Sequence, residues 1–192
     1  MESVNKRDHL IKVAKTCFEN FGYKATTIEQ ITKAANMGKG TFYNFFTTKE
    51  ELFQFIIEEE IANITNFAEA TMRTEPLNIQ VLYDYLFTAL SYKKNYYFFR
   101  KLSLEAEAFG TVEVVAGLKH MENAVFTQLK RILQLLADKN IIESGNIELT
   151  AFLILEIYNA LAYKWEENHE ALAYNEISSI YTQLFKTSLL KI

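Results

Sequence analysis

Apolar residues recur along this chain at helical rather than alternating spacing. Leu10, Val13, Ala14, Cys17, Phe18 and Phe21 follow i, i+3, i+4, i+7, i+8, i+11, the stripe of one amphipathic helix. Gly22 then stands where such a helix usually ends. Ile177, Ile180, Tyr181, Leu184 and Phe185 repeat the stripe near the other end. One proline and six glycines leave few breakers. No short alternating segment bounded by turn residues stands out, so no sheet is expected. The spacing predicts nine helices, over about 5–21, 27–34, 38–45, 49–72, 78–93, 95–108, 111–138, 147–168 and 174–190. The second and third are much shorter than the rest. The expected fold is therefore all-α: a compact three-helix head over residues 1–48 and a larger helical bundle over 49–192.

The informative stretch is Gly22 to Phe53. Thr26-Thr27-Ile28-Glu29-Gln30 offers a capping box in either register, Thr26 with Glu29 or Thr27 with Gln30. The short helix that follows buries Ile28 and Ile31, and Ala34 and Ala35 permit close packing. Residues 35–38 then turn tightly: Asn36 tolerates a left-handed conformation and Gly38 has no Cβ to obstruct the next helix. On that helix, Lys39 to Phe45, the rings of Phe42 and Phe45 are expected to anchor one face. Lys39, Gly40, Thr41, Tyr43 and Asn44 are left outward: a cation, hydroxyls, an amide and exposed backbone, with no carboxylate. Such a face suits a phosphate-lined groove, with Lys39 and Tyr43 toward phosphates and Thr41 and Asn44 toward base edges. Two short helices joined by a tight turn, the second presented outward, make a helix-turn-helix. Thr48 and Glu51 form another capping box, and Lys49 opposes the dipole of the helix it opens, as a lysine beside a DNA phosphate or a solvated one would.

In these residues the segment resembles the DNA-binding head of the TetR family of bacterial repressors. The resemblance is carried by Gly22-Tyr23, Thr26-Thr27, Ile31, Ala34-Ala35, Lys39-Gly40-Thr41-Phe42-Tyr43, Phe46 and Lys49-Glu50-Glu51-Leu52-Phe53, within residues 5–55. It implies DNA contacts at Thr27, Lys39, Gly40, Thr41, Tyr43, Asn44 and Lys49. Two positions depart from the family pattern: Asn36 stands where the turn usually has glycine, and Gly38 where a polar cap is common. The resemblance further implies a homodimer formed through the last two helices, a near-palindromic double-stranded operator, and release by a small hydrophobic or cationic effector.

Charge agrees once its distribution is considered. The chain carries −4, but residues 1–49 hold eight Lys/Arg against four Asp/Glu, a net +4, leaving −8 on the remainder. A polyanion responds to the local field within roughly 10 Å at moderate salt, so a basic head on an acidic body can bind DNA. The apolar content of 49% suffices for a core without metal or disulfide. The lone Cys17, the absence of a signal-like start and of a membrane-length apolar run lead to a soluble, cytoplasmic expectation with no membrane association.

The expected body is rich in rings. A pocket lined by Phe87, Tyr96, Phe99, Phe109 and Trp165, with Glu156 as the counter-charge for a cation, is one reading. Ordinary aromatic core is the other, and Glu156 can equally face solvent or a partner helix. Helix 4, at about 24 residues, would span roughly 36 Å and could tilt the head.

Other chemistry is not expected. His9, His120 and His169 lack metal-ligand spacing, and Cys17 sits on an apolar stripe. Gly38-Lys39-Gly40-Thr41 echoes a phosphate loop without its strand or upstream glycine. No nucleophilic triad or carboxylate pair supports an enzyme, and no cofactor or metal is implied. Two rivals remain, a ligand-binding or interaction protein of the same fold without DNA binding and a small helical enzyme. Activation in place of repression is also open.

Overall fold

A computed structural model describes residues 2–95, 97–143, 145–165, 168–170 and 172–188, with the side chains of 2–5, 87, 89–95, 97, 162, 163, 174, 178 and 185–188 outside that description. Among the described residues there are nine α-helices and no strand element. They are α1 (Glu2–Phe21), α2 (Ile28–Ala34), α3 (Lys39–Tyr43), α4 (Lys49–Met72), α5 (Gln80–Asn95), α6 (Tyr97–Phe109), α7 (Val112–Asp138), α8 (Ile147–Asn159) and α9 (Tyr174–Ser188). The expected long eighth helix instead stops at Asn159 and continues as one π-helical turn, Ala160–Lys164.

The chain forms two compact units, residues 1–63 with 93–122 and residues 64–92 with 123–192. In the first, Leu10, Ala14 and Phe18 of α1 are fully buried with Ile31 of α2, Phe42 of α3 and Leu52 and Ile56 of α4. Rings hold its centre: Tyr23 lies 4.7 Å from Phe53 and 5.5 Å from Phe18, and Phe53 lies 6.5 Å from Phe98 of α6. Gly117 of α7 lets this core close, because a Cβ there would come within 3.0 Å of the Phe53 ring. Phe21 departs from its stripe. It is 58% exposed, since Gly22 (φ +84) turns the chain away before a full turn more can be buried.

The second unit buries Leu82 and Tyr85 of α5, Leu129, Ile132, Leu133 and Leu136 of α7, Ala151 and Ile154 of α8, and Ile177 and Tyr181 of α9. Two of its buried phenols donate to backbone carbonyls, Tyr85 to Val125 at 3.0 Å and Tyr181 to Ile154 at 2.7 Å. These are the partners that buried tyrosine hydroxyls require.

Candidate DNA-binding surface

Helix α2 begins at Thr27, in extended conformation, and the capping box takes the second of the two registers. The Gln30 backbone N–H donates to Thr27 Oγ1 at 3.2 Å, and the Thr27 N–H donates to Gln30 Oε1 at 2.8 Å. Thr26 is buried instead, its hydroxyl donating to the Gly22 carbonyl at 2.6 Å. The adjacent threonines thus divide the work: one closes the α1–α2 turn, the other stands exposed at the start of α2.

After α2 the chain reverses through Asn36 in the left-handed region (φ 55), and the Met37 N–H returns to the Thr32 carbonyl at 2.8 Å. Gly38 supplies the extended residue before α3 without a side-chain cap, as its missing hydroxyl implies. Phe42 is completely buried and fixes which way α3 faces. Its companion is Phe46, 6.1 Å ring to ring and buried, rather than Phe45, which is only half-buried. Phe46 stands four residues after Phe42 and its N–H donates to the Phe42 carbonyl at 2.9 Å, so the turn after α3 keeps its ring on the Phe42 face.

The rest of α3 stands outward. Tyr43 is 56% exposed, Lys39, Gly40 and Asn44 are exposed, and Thr41 is half-buried. Thr27, at the start of α2, is also exposed. The Lys39 ammonium pairs with Glu29 of α2 at 2.9 Å, and that carboxylate raises its pKa above the ordinary lysine value.

Lys49 is placed differently from its six companions. Its ammonium turns inward, donating to the carbonyls of Tyr23 and Thr26 at 2.8 Å each, and lies 4.2 Å from the Tyr23 ring centre. Burial lowers its pKa. It therefore ties the start of α4 to the α1–α2 turn. Helix α4 is capped by Thr48, whose hydroxyl accepts from the Glu51 N–H at 3.1 Å. The return bond from Glu51 goes to the Thr47 N–H, one residue earlier than a standard box.

Several contacts of the head escaped the periodicity reading. Glu105 of α6, nearly buried, accepts from the Lys24 N–H at 2.9 Å. Glu60 of α4 is buried against Lys15 of α1. The Arg7 guanidinium lies 4.1 Å from the Phe55 ring centre. A signal for both acids exists: Phe98, Leu102, Glu105 and Phe53, Ile56, Glu60 each place a carboxylate on an apolar helical stripe.

The residues suggested for a ligand pocket are not gathered into one unit. Phe99 is buried and Phe109 is 67% exposed, both in the first unit, with the Lys24 ammonium 5.0 Å from the Phe109 ring. Glu156 and Trp165 belong to the second unit. Trp165 stacks on His169 at 3.9 Å and donates to the Glu170 carbonyl at 3.2 Å. The Phe87 side chain and all of Tyr96 lie outside the described residues. Within the first unit, an open cleft of about 450 Å³ is lined by Phe53, Ile57, Glu58, Glu113, Gly117 and His120, among others.

Comparison with known proteins decides the family. Residues 10–56 match the profile of bacterial regulatory proteins of the tetR family. The chain is 31% identical over 178 residues, 93% of each protein, to the uncharacterized HTH-type transcriptional regulator YhgD of Bacillus subtilis. The chain belongs to the TetR family. Its head is also 42% identical over 57 residues, 30% of each chain, to the HTH-type transcriptional regulator QacR of Staphylococcus aureus. The transcriptional regulator FadR of Bacillus subtilis, solved with stearoyl-CoA, superposes with a TM-score of 0.74 at 16% identity over 93% of this chain and 96% of its own. This TetR-family chain is therefore a helix-turn-helix transcriptional regulator with a helical-bundle body. Among the described residues no helix is long and apolar enough to cross a membrane, and no group of three acid, His or Cys side chains could hold a metal.

Proposed function

We propose that this TetR-family regulator is a ligand-responsive repressor that binds a near-palindromic operator as a homodimer, in the cytoplasm. The observation that carries the reading is the outward face of α3, held by the buried Phe42 ring and free of carboxylates. Tyr43 and Lys39 meet phosphates, Thr41, Asn44 and the exposed Gly40 backbone meet base edges, and Thr27 meets the backbone from α2. Lys49 serves these contacts from behind, by holding the turn that starts α2.

The dimer is proposed to form through α8 and α9. Leu149, Phe152 and Leu153 follow i, i+3, i+4 on α8 and are 49–52% exposed, with Glu156 next along the same face. Leu184 adds a half-exposed apolar side chain on α9. An apolar helix face of this kind is what a second copy would cover. Glu156 on that face reads as a seam residue in preference to a ligand counter-charge. For the effector, the first unit's cleft joins Glu58 and Glu113 to an apolar floor and suits the cationic members of the expected class.

The test is a fluorescence-anisotropy titration of duplexes from the DNA flanking the protein's own gene, over a salt series. Saturable binding that weakens steeply with salt supports the reading. Binding absent from every duplex, or indifferent to salt, overturns it.

A further inference from the structure

Resting on the DNA-binding reading above, we propose that Glu29 is a specificity-determining residue that holds Lys39 back from non-cognate phosphates. Lys39 is the cation on the outward face of α3, and its ammonium is 2.9 Å from the carboxylate of Glu29 on α2. Both side chains are exposed, at 57% and 73%, so the pair sits on the DNA-facing surface and is not part of the core. The two short helices fix it: the capping box at Thr27 sets the first turn of α2, and the buried Phe42 sets the azimuth of α3.

The consequence follows from electrostatics. A lysine binds a phosphate by displacing condensed counterions, and each such contact steepens the salt dependence of binding. Lys39 arrives already neutralised. To meet a phosphate it must leave Glu29, and the carboxylate it leaves faces the same polyanion. Non-cognate DNA, bound through its phosphates without a base-edge donor in register with Glu29, is penalised on both counts. A cognate major groove places an exocyclic amino group of cytosine or adenine where it donates to the Glu29 carboxylate. The pair then opens with both members satisfied. Glu29 thus weakens binding everywhere and weakens it least where the right base edge stands.

The experiment compares the full-length wild type with Glu29→Gln, Lys39→Gln and the double variant, each checked by circular dichroism. The probes are a random-sequence duplex and a duplex selected by the wild type from a randomised library. On random DNA, Glu29→Gln is expected to bind severalfold tighter at low salt. Its log–log salt slope should steepen by about 0.9, so that raising salt from 50 to 200 mM costs it about threefold more than the wild type. On the selected duplex the gain should be smaller, lowering the specificity ratio. In the Lys39→Gln background the Glu29→Gln gain on random DNA should largely disappear.

An equal gain in that background makes Glu29 a general repulsive charge and overturns the proposal, as does an equal gain on both duplexes. If the wild type selects and binds DNA but Glu29→Gln changes nothing, this inference fails alone. If the wild type binds neither duplex, the DNA-binding reading fails with it.

Discussion

The carboxylate of Glu105 stands directly over Gly22. One oxygen accepts from the Lys24 N–H at 2.9 Å, and the other would be 2.6 Å from a Cβ placed on Gly22. Helix α6 thereby grips the α1–α2 turn from one side while Lys49 of α4 grips it from the other, through the carbonyls of Tyr23 and Thr26. The turn so held delivers Thr27 to the surface.

Gly22→Ala is accordingly expected to destabilise the protein by more than the left-handed backbone alone would cost, roughly 1–2 kcal/mol at its φ of +84. Urea denaturation of Gly22→Ala and of Gly22→Ala with Glu105→Ala separates the two parts. Measured against Glu105→Ala alone, which also loses the bond to the Lys24 N–H, the Gly22→Ala cost should fall to the backbone part; an undiminished cost would mean that Glu105 does not press on this position.

Phe42 and Tyr43 are neighbours with opposite duties. Phe42→Ala should lose about 3–5 kcal/mol, because its ring is wholly buried. Tyr43→Ala should stay within about 0.5 kcal/mol of wild type, as exposed substitutions do, and yet lose DNA binding. Denaturation paired with anisotropy tests both; a strongly destabilised Tyr43→Ala would contradict the outward placement.

Lys49→Met removes two hydrogen bonds from an ammonium, each worth about 1.5–3 kcal/mol in the general case. A loss of stability is expected, where Lys39→Gln should cause almost none. Thermal melts of the two variants give the comparison. Equal melting temperatures would return Lys49 to the role of a free surface cation.

Hydrogen bonds from the Thr47 N–H and its neighbours hold the Glu51 carboxyl below the ordinary glutamate value of 4.5. Its folded pKa lies below its unfolded one, so its contribution is present above about pH 4.5 and is lost as pH falls through the folded value. Wild type should therefore melt above Glu51→Gln at neutral pH, and the gap should close in acid. A gap that persists below pH 3 would refute this assignment.

Leu153→Glu should turn a dimer into monomers, since it sets a charge in the exposed apolar face of α8. Sedimentation velocity reads the outcome directly. An unchanged dimer would move the interface elsewhere.

Much of this architecture was legible as periodicity, because a helix that buries one face must repeat apolar residues along it. The α4 limits, the left-handed Asn36 and the outward face of α3 all follow from such local rules. What was hidden depends on chain reversal and distance. Phe45 and Phe46, at i+3 and i+4 from Phe42, share its face, so spacing alone does not tell which ring is the buried anchor; it is Phe46. Lys49 in the sequence shows only its opposition to its own helix dipole, whereas its partners lie 23 and 26 residues earlier. Glu105 meets a backbone group 81 residues away, which no local pattern encodes. The ring-rich body was least legible, because an aromatic residue at helical spacing looks the same in a core, a pocket or an interface.

The most direct test is a hydroxyl-radical footprint of the wild-type protein on the duplex it selects. Two exposed α3 faces related by a two-fold axis should protect two symmetric patches a whole number of helical turns apart, about 10 base pairs or a multiple, and Tyr43→Ala should abolish both. A single unsymmetrical patch, or protection that survives Tyr43→Ala unchanged, would contradict the account.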